Sequence, residues 1–372
     1  MIERLLYHQI KEKLFAGKVI VITGPRQSGK TTLLKELASN YADVLFLNAD
    51  NIEIQTLFDV QSVNRLKTIF GNHKIVIIDE AQRIKNIGIK VKIAADELKE
   101  IQLILTGSSS FELSEEINEP LTGRKFEYTL FPVSFAEMVN HHQFINENVL
   151  INHRLVFGYY PEIVINQGDE KELLNLLTNS YLYKDILSWN KIRKSDKIVK
   201  LLQALAFQIG NQVSFHELGQ IVGLNSETVE SYIQLLEKSF VIFRLGSFSR
   251  NARNELKKSQ KIYFYDNGVR NTLIANYNPV ELRNDVGSLW ENFLISERKK
   301  YLSYNNIYAN SFFWRNHAQQ EIDYIEEREG KLFAYEIKWD KSKVKFPKSF
   351  LEAYNECETN VITFQDYESF IF

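Results

Sequence analysis

The chain has 372 residues, of which 44% are hydrophobic and 25% are charged, so it can form about two to four globular modules with separate cores. Its 45 basic residues nearly balance its 47 acidic residues, which excludes a protein that binds polyanions through overall positive charge. The single cysteine, Cys357, excludes an internal disulfide framework, and without an apolar run of signal-peptide or membrane-spanning type we expect a cytoplasmic protein.

Short apolar runs alternate with helical patterns between residue 18 and about residue 130. Such runs are typical of buried strands, and the segments between them are long enough for crossover helices. The runs are KVIVIT (18–23), VLFLNAD (44–50), KIVIID (74–79) and IQLILTG (101–107). The pattern predicts an α/β core on a mainly parallel sheet.

Two helical groups follow the predicted sheet. Residues 139–193 are mostly helical in pattern, with a break at the run GYYP. Residues 197–241 form the second group, in which Ser214 and Asn225 stand where helix N-caps are expected. The β-type runs VIFRLGSF and KIYFYD come next, and three helices followed by a hairpin indicate a winged helix-turn-helix.

The chain beyond Asp266 combines helices with strands. Helical patterns occur at 289–302 and near 347–358, and the runs FFWRN, EIDYIEE and KLFAYEIKW between them have the alternation of strands. No Pro- or Ser-rich linker separates this part from the preceding one, so we expect closely packed modules.

The segment GPRQSGKT, residues 24–31, fits the phosphate-binding pattern G-x-x-x-x-G-K-T between a predicted strand and a predicted helix. Backbone amides and the helix N-terminus would surround the phosphates. Lys30 would reach the β- and γ-phosphates, and the Thr31 hydroxyl would bind Mg²⁺. The alternative is a plain glycine-rich turn. The predicted nucleotide-binding residues are Gly24, Pro25, Arg26, Gln27, Ser28, Gly29, Lys30, Thr31 and Thr32.

Two acidic residues end the third predicted strand. Asp79 emerges at the carboxyl end of that strand, where open α/β sheets bind ligands, and it would hold Mg²⁺. Glu80 would orient or deprotonate the attacking water, because phosphoryl transfer needs positioning more than covalent chemistry. A purely structural Asp-Glu pair is the alternative. Guanine selectivity is unsupported because the chain has no N-K-x-D element, so we expect ATP as the nucleotide.

The run GPRQSGKTTLL, followed by KIVIIDEAQRI, LTGSSSFEL, LTGRKFEYTLFPVSFAEM, GYYPEIV and YLYKDIL, resembles prokaryotic AAA-type ATPases whose C-terminal region is a domain of unknown function. The resemblance covers nearly the whole chain. It implies an ATPase core, a winged helix and a C-terminal fold related to restriction endonucleases, and it implies no settled substrate. We predict four domains: an AAA-type core at 1–138, a helical lid at 139–195, a winged helix at 196–265 and a restriction-endonuclease-like domain at 266–372.

The same resemblance implies further catalytic residues. In AAA-type ATPases a polar side chain after the strand that ends in LILTGSSS contacts the γ-phosphate and the lytic water, and Thr106 and Ser108 are both candidates here. Arg124 is a candidate arginine finger, which would stabilise charge on the transferring phosphoryl group. Because such fingers act across subunit boundaries, we expect a ring or another homo-oligomer. The alternative for Arg124 is an ion pair with a surface carboxylate.

The C-terminal strands carry a second candidate site. Glu336 and Lys338 stand two residues apart on one predicted strand and so project from one face, and Asp323 lies in the preceding strand. An Asp and a Glu that share a divalent metal, with a Lys beside the phosphate, form the D…(D/E)-x-K arrangement of metal-dependent nucleases. Glu291 matches the additional acidic residue that many such folds contribute from their first helix. The alternative is a degenerate nuclease fold used for binding.

The candidate recognition helix of the winged helix carries Glu227, Glu230 and Glu237, which would repel phosphate. Basic residues lie instead before this helix and in the predicted wing, which favours contact with the DNA backbone over base readout. A role in protein–protein contact is the alternative. The basic residues are Lys191, Arg193, Lys194, Lys197, Lys200, Arg250, Arg253, Lys257, Lys258 and Lys261.

Three functions are compatible with this sequence. The first is an ATP-driven enzyme that binds or processes DNA through its C-terminal modules. The second is an ATP-controlled switch or scaffold that binds protein partners and carries a degenerate nuclease-like domain. The third, a small-molecule kinase, is disfavoured by Glu80, which suits water activation, and by the appended modules. We expect no membrane insertion in any of these cases.

Overall fold

The computed structural model describes residues 2–59, 62–107, 113, 116–187, 195–249, 260–340 and 344–372, which divide into two compact units. The first unit comprises residues 1–133 and 238–240, and the second comprises residues 134–237 and 241–372. The strands are β1 (Val19–Thr23), β2 (Val44–Asn48), β3 (Ile75–Asp79), β4 (Gln102–Gly107), β5 (Lys125–Thr129), β6 (Gln212–Val213), β7 (Ile242–Ser247), β8 (Gln260–Phe264), β9 (Asn310–Arg315), β10 (Glu321–Arg328), β11 (Lys331–Ile337) and β12 (Glu358–Ile362).

Helices occur in both units, and in the described part of the chain short 3-10 turns accompany them at Ala81–Arg83 and Val280–Leu282. The α-helices are α1 (Leu5–Lys13), α2 (Lys30–Ser39), α3 (Ile52–Leu57), α4 (Val63–Phe70), α5 (Ile87–Glu97), α6 (Phe135–His142), α7 (Phe144–Val149), α8 (Ile151–Phe157), α9 (Pro161–Ile165), α10 (Glu170–Leu187), α11 (Ser195–Phe207), α12 (Phe215–Val222), α13 (Ser226–Lys238), α14 (Asn267–Leu273), α15 (Val286–Tyr304), α16 (Lys348–Ala353) and α17 (Glu368–Ile371).

The first unit is built on a five-stranded sheet in the order β2-β3-β4-β1-β5, in which every neighbouring pair is parallel. This confirms the expected α/β fold with a parallel sheet. Strands β1, β3 and β4 are buried along their whole length, as expected for a parallel sheet covered on both faces. The sequence pattern did not predict β5, because its residues KFEYT alternate charge with aromatic rings and are half-exposed at the sheet edge.

Parallel pairing places the carboxyl ends of β1, β3 and β4 on the same edge of this sheet. The segment GPRQSGKT follows β1 and leads into α2, Asp79 ends β3, and Thr106 stands one residue before the end of β4. The fold of the first unit therefore collects the predicted nucleotide-binding segments at one edge.

The second unit contains helices and a mixed seven-stranded sheet in the order β12-β11-β10-β9-β7-β8-β6. Both predicted helix N-caps are confirmed, since the Ser214 hydroxyl accepts from the Glu217 amide at 3.4 Å and the Asn225 side chain accepts from the Thr228 amide at 2.8 Å. The helices α11 to α13 and the antiparallel pair β7-β8 lie where three helices and a hairpin were expected.

The hairpin continues into the C-terminal strands, because β7 also pairs with β9 in parallel. Strands from the predicted segments 196–265 and 266–372 therefore belong to one sheet, which the sequence pattern did not indicate. The predicted helix near 347–358 is wrong in its second half. Helix α16 ends at Ala353, and residues 358–362 form β12 in parallel pairing with β11, since ETNVI ends in β-branched residues suited to a strand.

Candidate nucleotide site and C-terminal carboxylate cluster

The loop between β1 and α2 requires glycine at two positions. Gly24 has φ 153°, and a Cβ atom there would lie 2.2 Å from the carbonyl oxygen of Leu130. Gly29 has φ 97° and is the N-cap residue of α2. Glycine adopts this left-handed conformation without a steric penalty, and the first amides of a helix have no acceptor within the helix, so a helix N-terminus can bind an anion. The backbone is thus shaped as the motif predicts.

Lys30 lies inside this loop with an exposed fraction of 5%. Its Nζ donates to the carbonyl oxygens of Gly24 at 2.9 Å and of Pro25 at 2.8 Å. The hydroxyl of Ser28 is fully buried and has no hydrogen-bond partner among the residues that the structure describes. A buried cation and an unsatisfied hydroxyl in one glycine loop are chemically suited to a phosphate group.

Three predicted residues meet beside the loop. The Thr31 hydroxyl donates to Oδ2 of Asp79 at 2.7 Å, and the Thr106 hydroxyl donates to Oδ1 of the same carboxylate. Thr106 also accepts from the Glu80 amide at 3.1 Å. The structure thus brings Thr106 to the predicted magnesium ligands, whereas Ser108, the other candidate at this strand end, lies outside the described residues.

Glu80 directly follows β3 in a left-handed conformation, with φ 53° and ψ 43°. This conformation is unfavourable for a residue other than glycine, and such strain is concentrated at functional sites. The Glu80 carboxylate accepts a hydrogen bond from Nε2 of Gln82 at 2.6 Å. Gln82 was missed in the sequence, although its position two residues after Glu80 in the run DEAQ was the available signal.

Arg124 lies at the opposite edge of the sheet, immediately before β5. Its Nε donates to Oδ1 of Asp96 at 2.7 Å, and this hydrogen bond lowers the pKa of Asp96. Strand β5 runs from Lys125 to Thr129 beside β1, and six steps of about 3.3 Å separate Arg124 from Leu130 beside the start of the loop, a distance of roughly 20 Å. The observed ion pair is the alternative considered for Arg124. The role of Arg124 as an arginine finger stays a prediction, and Arg124 would act on the nucleotide site of another copy of the chain.

The C-terminal strands bring three predicted residues together within the second unit. Nζ of Lys338 lies 2.9 Å from Oδ2 of Asp323 and 2.8 Å from Oε2 of Glu336. The Asp323 carboxylate also accepts from the Ile337 amide at 2.8 Å. Burial, together with the charge of Asp323, raises the pKa of Glu336 to about 7. One ammonium group therefore bridges two carboxylates on neighbouring strands.

Glu291 belongs to an adjoining hydrogen-bonded group rather than to this bridge. Its Oε1 accepts from the Tyr263 hydroxyl at 2.6 Å and from Lys261 at 3.2 Å, and Lys261 also lies 2.6 Å from Glu321. Burial raises the pKa of Glu291. Over the described ranges, no group of three or more His, Cys, Asp and Glu side chains is arranged to hold a metal ion.

The basic residues expected to contact a DNA backbone have different environments. Lys261 is 1% exposed and paired with two carboxylates, so the expectation that it contacts a DNA backbone is wrong; its charge in the sequence did not reveal its burial. Lys200 is exposed and Lys197 is half-buried on α11. The remaining predicted residues lie outside the described ranges: Lys191, Arg193, Lys194, Arg250, Arg253, Lys257 and Lys258.

Comparison with known families matches one segment in the N-terminal part of the chain and two segments after it. Residues 16–139 match the AAA domain family, and two further segments match domains of unknown function, DUF8612 over residues 148–280 and DUF4143 over residues 286–368. An uncharacterized protein of Methanocaldococcus jannaschii is 23% identical over 98% of this chain and 86% of its own length. An uncharacterized protein of Haemophilus influenzae is 26% identical over 69% of this chain and 70% of its own length.

A solved structure shares the fold. The Walker-type ATPase PABY2304 of Pyrococcus abyssi superposes with a TM-score of 0.51 at 16% identity, over 74% of this chain and 96% of that one. No helix in the described part of the chain is long and apolar enough to cross a membrane. The AAA domain match, the parallel sheet and the P-loop agree with the resemblance of this chain to AAA-type P-loop ATPases that carry C-terminal domains of unknown function.

Proposed function

We propose that this protein hydrolyses ATP in a Mg²⁺-dependent reaction at the site formed by Lys30, Thr31, Asp79 and Glu80. The observation that carries the proposal is the convergence of the Thr31 hydroxyl, the Asp79 carboxylate and the Thr106 hydroxyl beside the glycine loop. These groups come from three separate segments, the start of α2 and the ends of β3 and β4.

The donor set suits the magnesium ion that such ATPases use. The Thr31 hydroxyl and the Asp79 carboxylate are oxygen ligands, which a hard cation prefers, and they already lie within 2.7 Å of each other. Mg²⁺ bound there would neutralise charge on the phosphates. Gly24 and Gly29 have no side chains, so phosphate groups could approach the backbone of the loop closely. Lys30 would add a positive charge from the protein to that of the Mg²⁺ ion.

Glu80 and Thr106 would position the attacking water. Glu80 is held by two contacts, from its amide to the Thr106 hydroxyl and from its carboxylate to Gln82. A carboxylate fixed next to the phosphate loop can accept a hydrogen bond from water and orient it for in-line attack. The Thr106 hydroxyl is hydrogen-bonded to both the Asp79 carboxylate and the Glu80 amide, so it would hold the two acidic residues in a fixed relative position.

The proposal extends to an assembly of identical subunits. Arg124 lies at the amino end of β5, so it would stabilise the transferring phosphoryl group only in a neighbouring copy. Its present partner, Asp96, is exposed enough for the ion pair to exchange.

The test of hydrolysis compares the wild type with Glu80→Gln. We expect the variant to bind ATP with unchanged affinity and to release no phosphate, because the amide keeps the size of the side chain but accepts hydrogen bonds more weakly. Unchanged phosphate release by the variant would remove Glu80 from the mechanism.

A second candidate function, action on DNA, is favoured by the Asp323–Lys338–Glu336 group. Two carboxylates and a lysine on neighbouring strands resemble the residues that hold a divalent metal and a phosphodiester in nucleases. The competing alternative is an ATP-controlled switch that binds protein partners, in which Lys338 serves only to neutralise the two acids.

Phosphate release measured with and without duplex or single-stranded DNA separates these two candidates. If DNA stimulates phosphate release and this stimulation weakens as the salt concentration rises, the result supports action on DNA. Glu336→Gln would then be tested for loss of DNA cleavage. Turnover that is indifferent to DNA at low salt supports the switch.

A further inference from the structure

We infer that Arg4, in the segment before α1, is a positioning residue of the P-loop that fixes the Ser28–Gly29 peptide and thereby sets nucleotide affinity. The inference rests on the proposed nucleotide site. Arg4 stands 20 residues before the first glycine of the motif, and no pattern in the sequence connects the two.

The Arg4 side chain is packed directly against the loop, with an exposed fraction of 6%. Nη1 donates to the carbonyl oxygen of Ser28 at 2.6 Å, and Nη2 donates to the carbonyl oxygen of Phe131 at 2.7 Å. A Cβ atom on Gly29 would lie 3.3 Å from Nη1. The guanidinium group therefore contacts the Ser28–Gly29 peptide, which leads into the N-cap residue of α2.

This contact determines how the peptide is oriented. In a planar trans peptide the N–H and the C=O point in opposite directions. Because the Ser28 carbonyl faces Arg4, the Gly29 amide points away from Arg4. Backbone amides turned inward are what a loop of this kind offers to phosphate oxygens. Rotation of the Ser28–Gly29 peptide would break the Arg4 bond and withdraw that amide.

The second Arg4 contact ties the loop to the segment that follows β5. Leu130 packs against Gly24 through its carbonyl oxygen, and its amide donates to the Thr23 carbonyl at 2.8 Å. Phe131 is the next residue, and Arg4 joins it to Ser28. Both ends of the P-loop are thus held against the same two-residue segment, one by close packing and the other through Arg4. Such preorganisation spares the loop an ordering cost when a ligand binds.

Arginine is suited to this role because its planar fork donates to two acceptors in fixed geometry, whereas lysine is a flexible point donor. The test therefore uses Arg4→Gln, Arg4→Lys and Arg4→Ala in the full chain. Lys11→Ala, which removes an exposed cation from α1, is the matched control. Two quantities are measured for each: the Kd for a fluorescent non-hydrolysable ATP analogue with Mg²⁺, and the thermal unfolding temperature without nucleotide.

We expect Arg4→Ala and Arg4→Gln to weaken binding about tenfold or more, the size expected for loss of a charge-assisted hydrogen bond. Arg4→Lys should be intermediate, and Lys11→Ala should stay within about twofold because an exposed charge contributes little. Lower unfolding temperatures with unchanged Kd would overturn the inference and leave Arg4 as an anchor of the N-terminal segment. If Arg4→Ala fails to fold, the Kd and the unfolding temperature of Arg4→Gln and Arg4→Lys are compared with those of the wild type instead.

The outcomes also separate this inference from the proposed function. A wild type that binds the analogue but releases no phosphate contradicts hydrolysis, while weaker binding by the Arg4 variants still supports the inference. A wild type that hydrolyses ATP beside Arg4 variants of unchanged Kd contradicts only the inference. A wild type that binds no nucleotide contradicts both.

Discussion

Replacing Thr106 by Val removes one hydroxyl from the candidate site and keeps a β-branched side chain of nearly the same volume. The hydroxyl is fully buried, donates to Asp79 and accepts from the Glu80 amide at 3.1 Å. The substitution therefore takes one hydrogen-bond partner from each of the two acidic residues.

The expected magnitude follows from these two bonds. A buried group left without its partner costs about 1–3 kcal/mol, and two such losses in one small network are not fully additive. A loss of about 2 kcal/mol in transition-state stabilisation lowers the rate roughly 30-fold, at about 1.4 kcal/mol for each factor of ten. We expect this loss in kcat and little change in nucleotide affinity, because Thr106 is not part of the glycine loop.

Phosphate release under saturating ATP measures kcat, and titration with a fluorescent analogue measures Kd. Thr106→Ser is the control, since it keeps the hydroxyl and should stay within about threefold of the wild type. A Thr106→Val protein that is folded and turns over at the wild-type rate would refute the assignment of Thr106 to this site.

Three other predictions concern the subunit boundary, a buried ion pair and a histidine. Arg124→Ala should bind ATP without hydrolysing it, and mixing it with Glu80→Gln should restore phosphate release if the finger acts between subunits; a mixture that stays inactive contradicts that arrangement. Arg298 holds Glu326 through two bonds of 2.6 and 2.9 Å in the interior, so Arg298→Met should lower the free energy of unfolding by about 3–5 kcal/mol in a denaturant titration. Glu326 would then keep only Arg328, whose Nε lies 3.4 Å from Oε2, so the double variant with Glu326→Leu should recover part of this loss. No recovery would show that the buried carboxylate left without Arg298 is not its cause. Burial lowers the pKa of His153 below 6.5, so the folded state favours the neutral ring, and stability present at neutral pH is lost as the pH falls. His153→Gln should reduce the drop in unfolding temperature between about pH 7 and about pH 5, and an unchanged drop would assign the acid sensitivity to other groups.

The parallel core could be predicted because its signals are local. Each of its four predicted strands is a continuous apolar run, and the loop motif stands directly after the first of them. Asp79 could be placed at the carboxyl edge for the same reason. The choice between Thr106 and Ser108 could not be made, since both are polar residues at the end of the same predicted strand. The contacts of the Thr106 hydroxyl with Asp79 and with the Glu80 amide become visible only in the structure.

What the sequence did not reveal depends on contacts between distant residues. Strand β5 has an unremarkable local pattern and forms by pairing with β1, and β12 forms by pairing with β11. Lys261 was expected to contact a DNA backbone because of its charge, yet it is buried between two carboxylates. Arg4 shows no functional signal in the sequence, because its role depends on a carbonyl 24 residues away.

Phosphate release by the purified protein with MgATP, compared with that of Lys30→Ala, tests the central claim most directly. Lys30 is the buried cation of the loop, and its loss should abolish nucleotide binding while the fold is retained. We predict steady turnover by the wild type and background release by the variant, with matching unfolding transitions in the absence of nucleotide. Equal release by the two proteins, or none by the wild type, would contradict the proposed ATPase site.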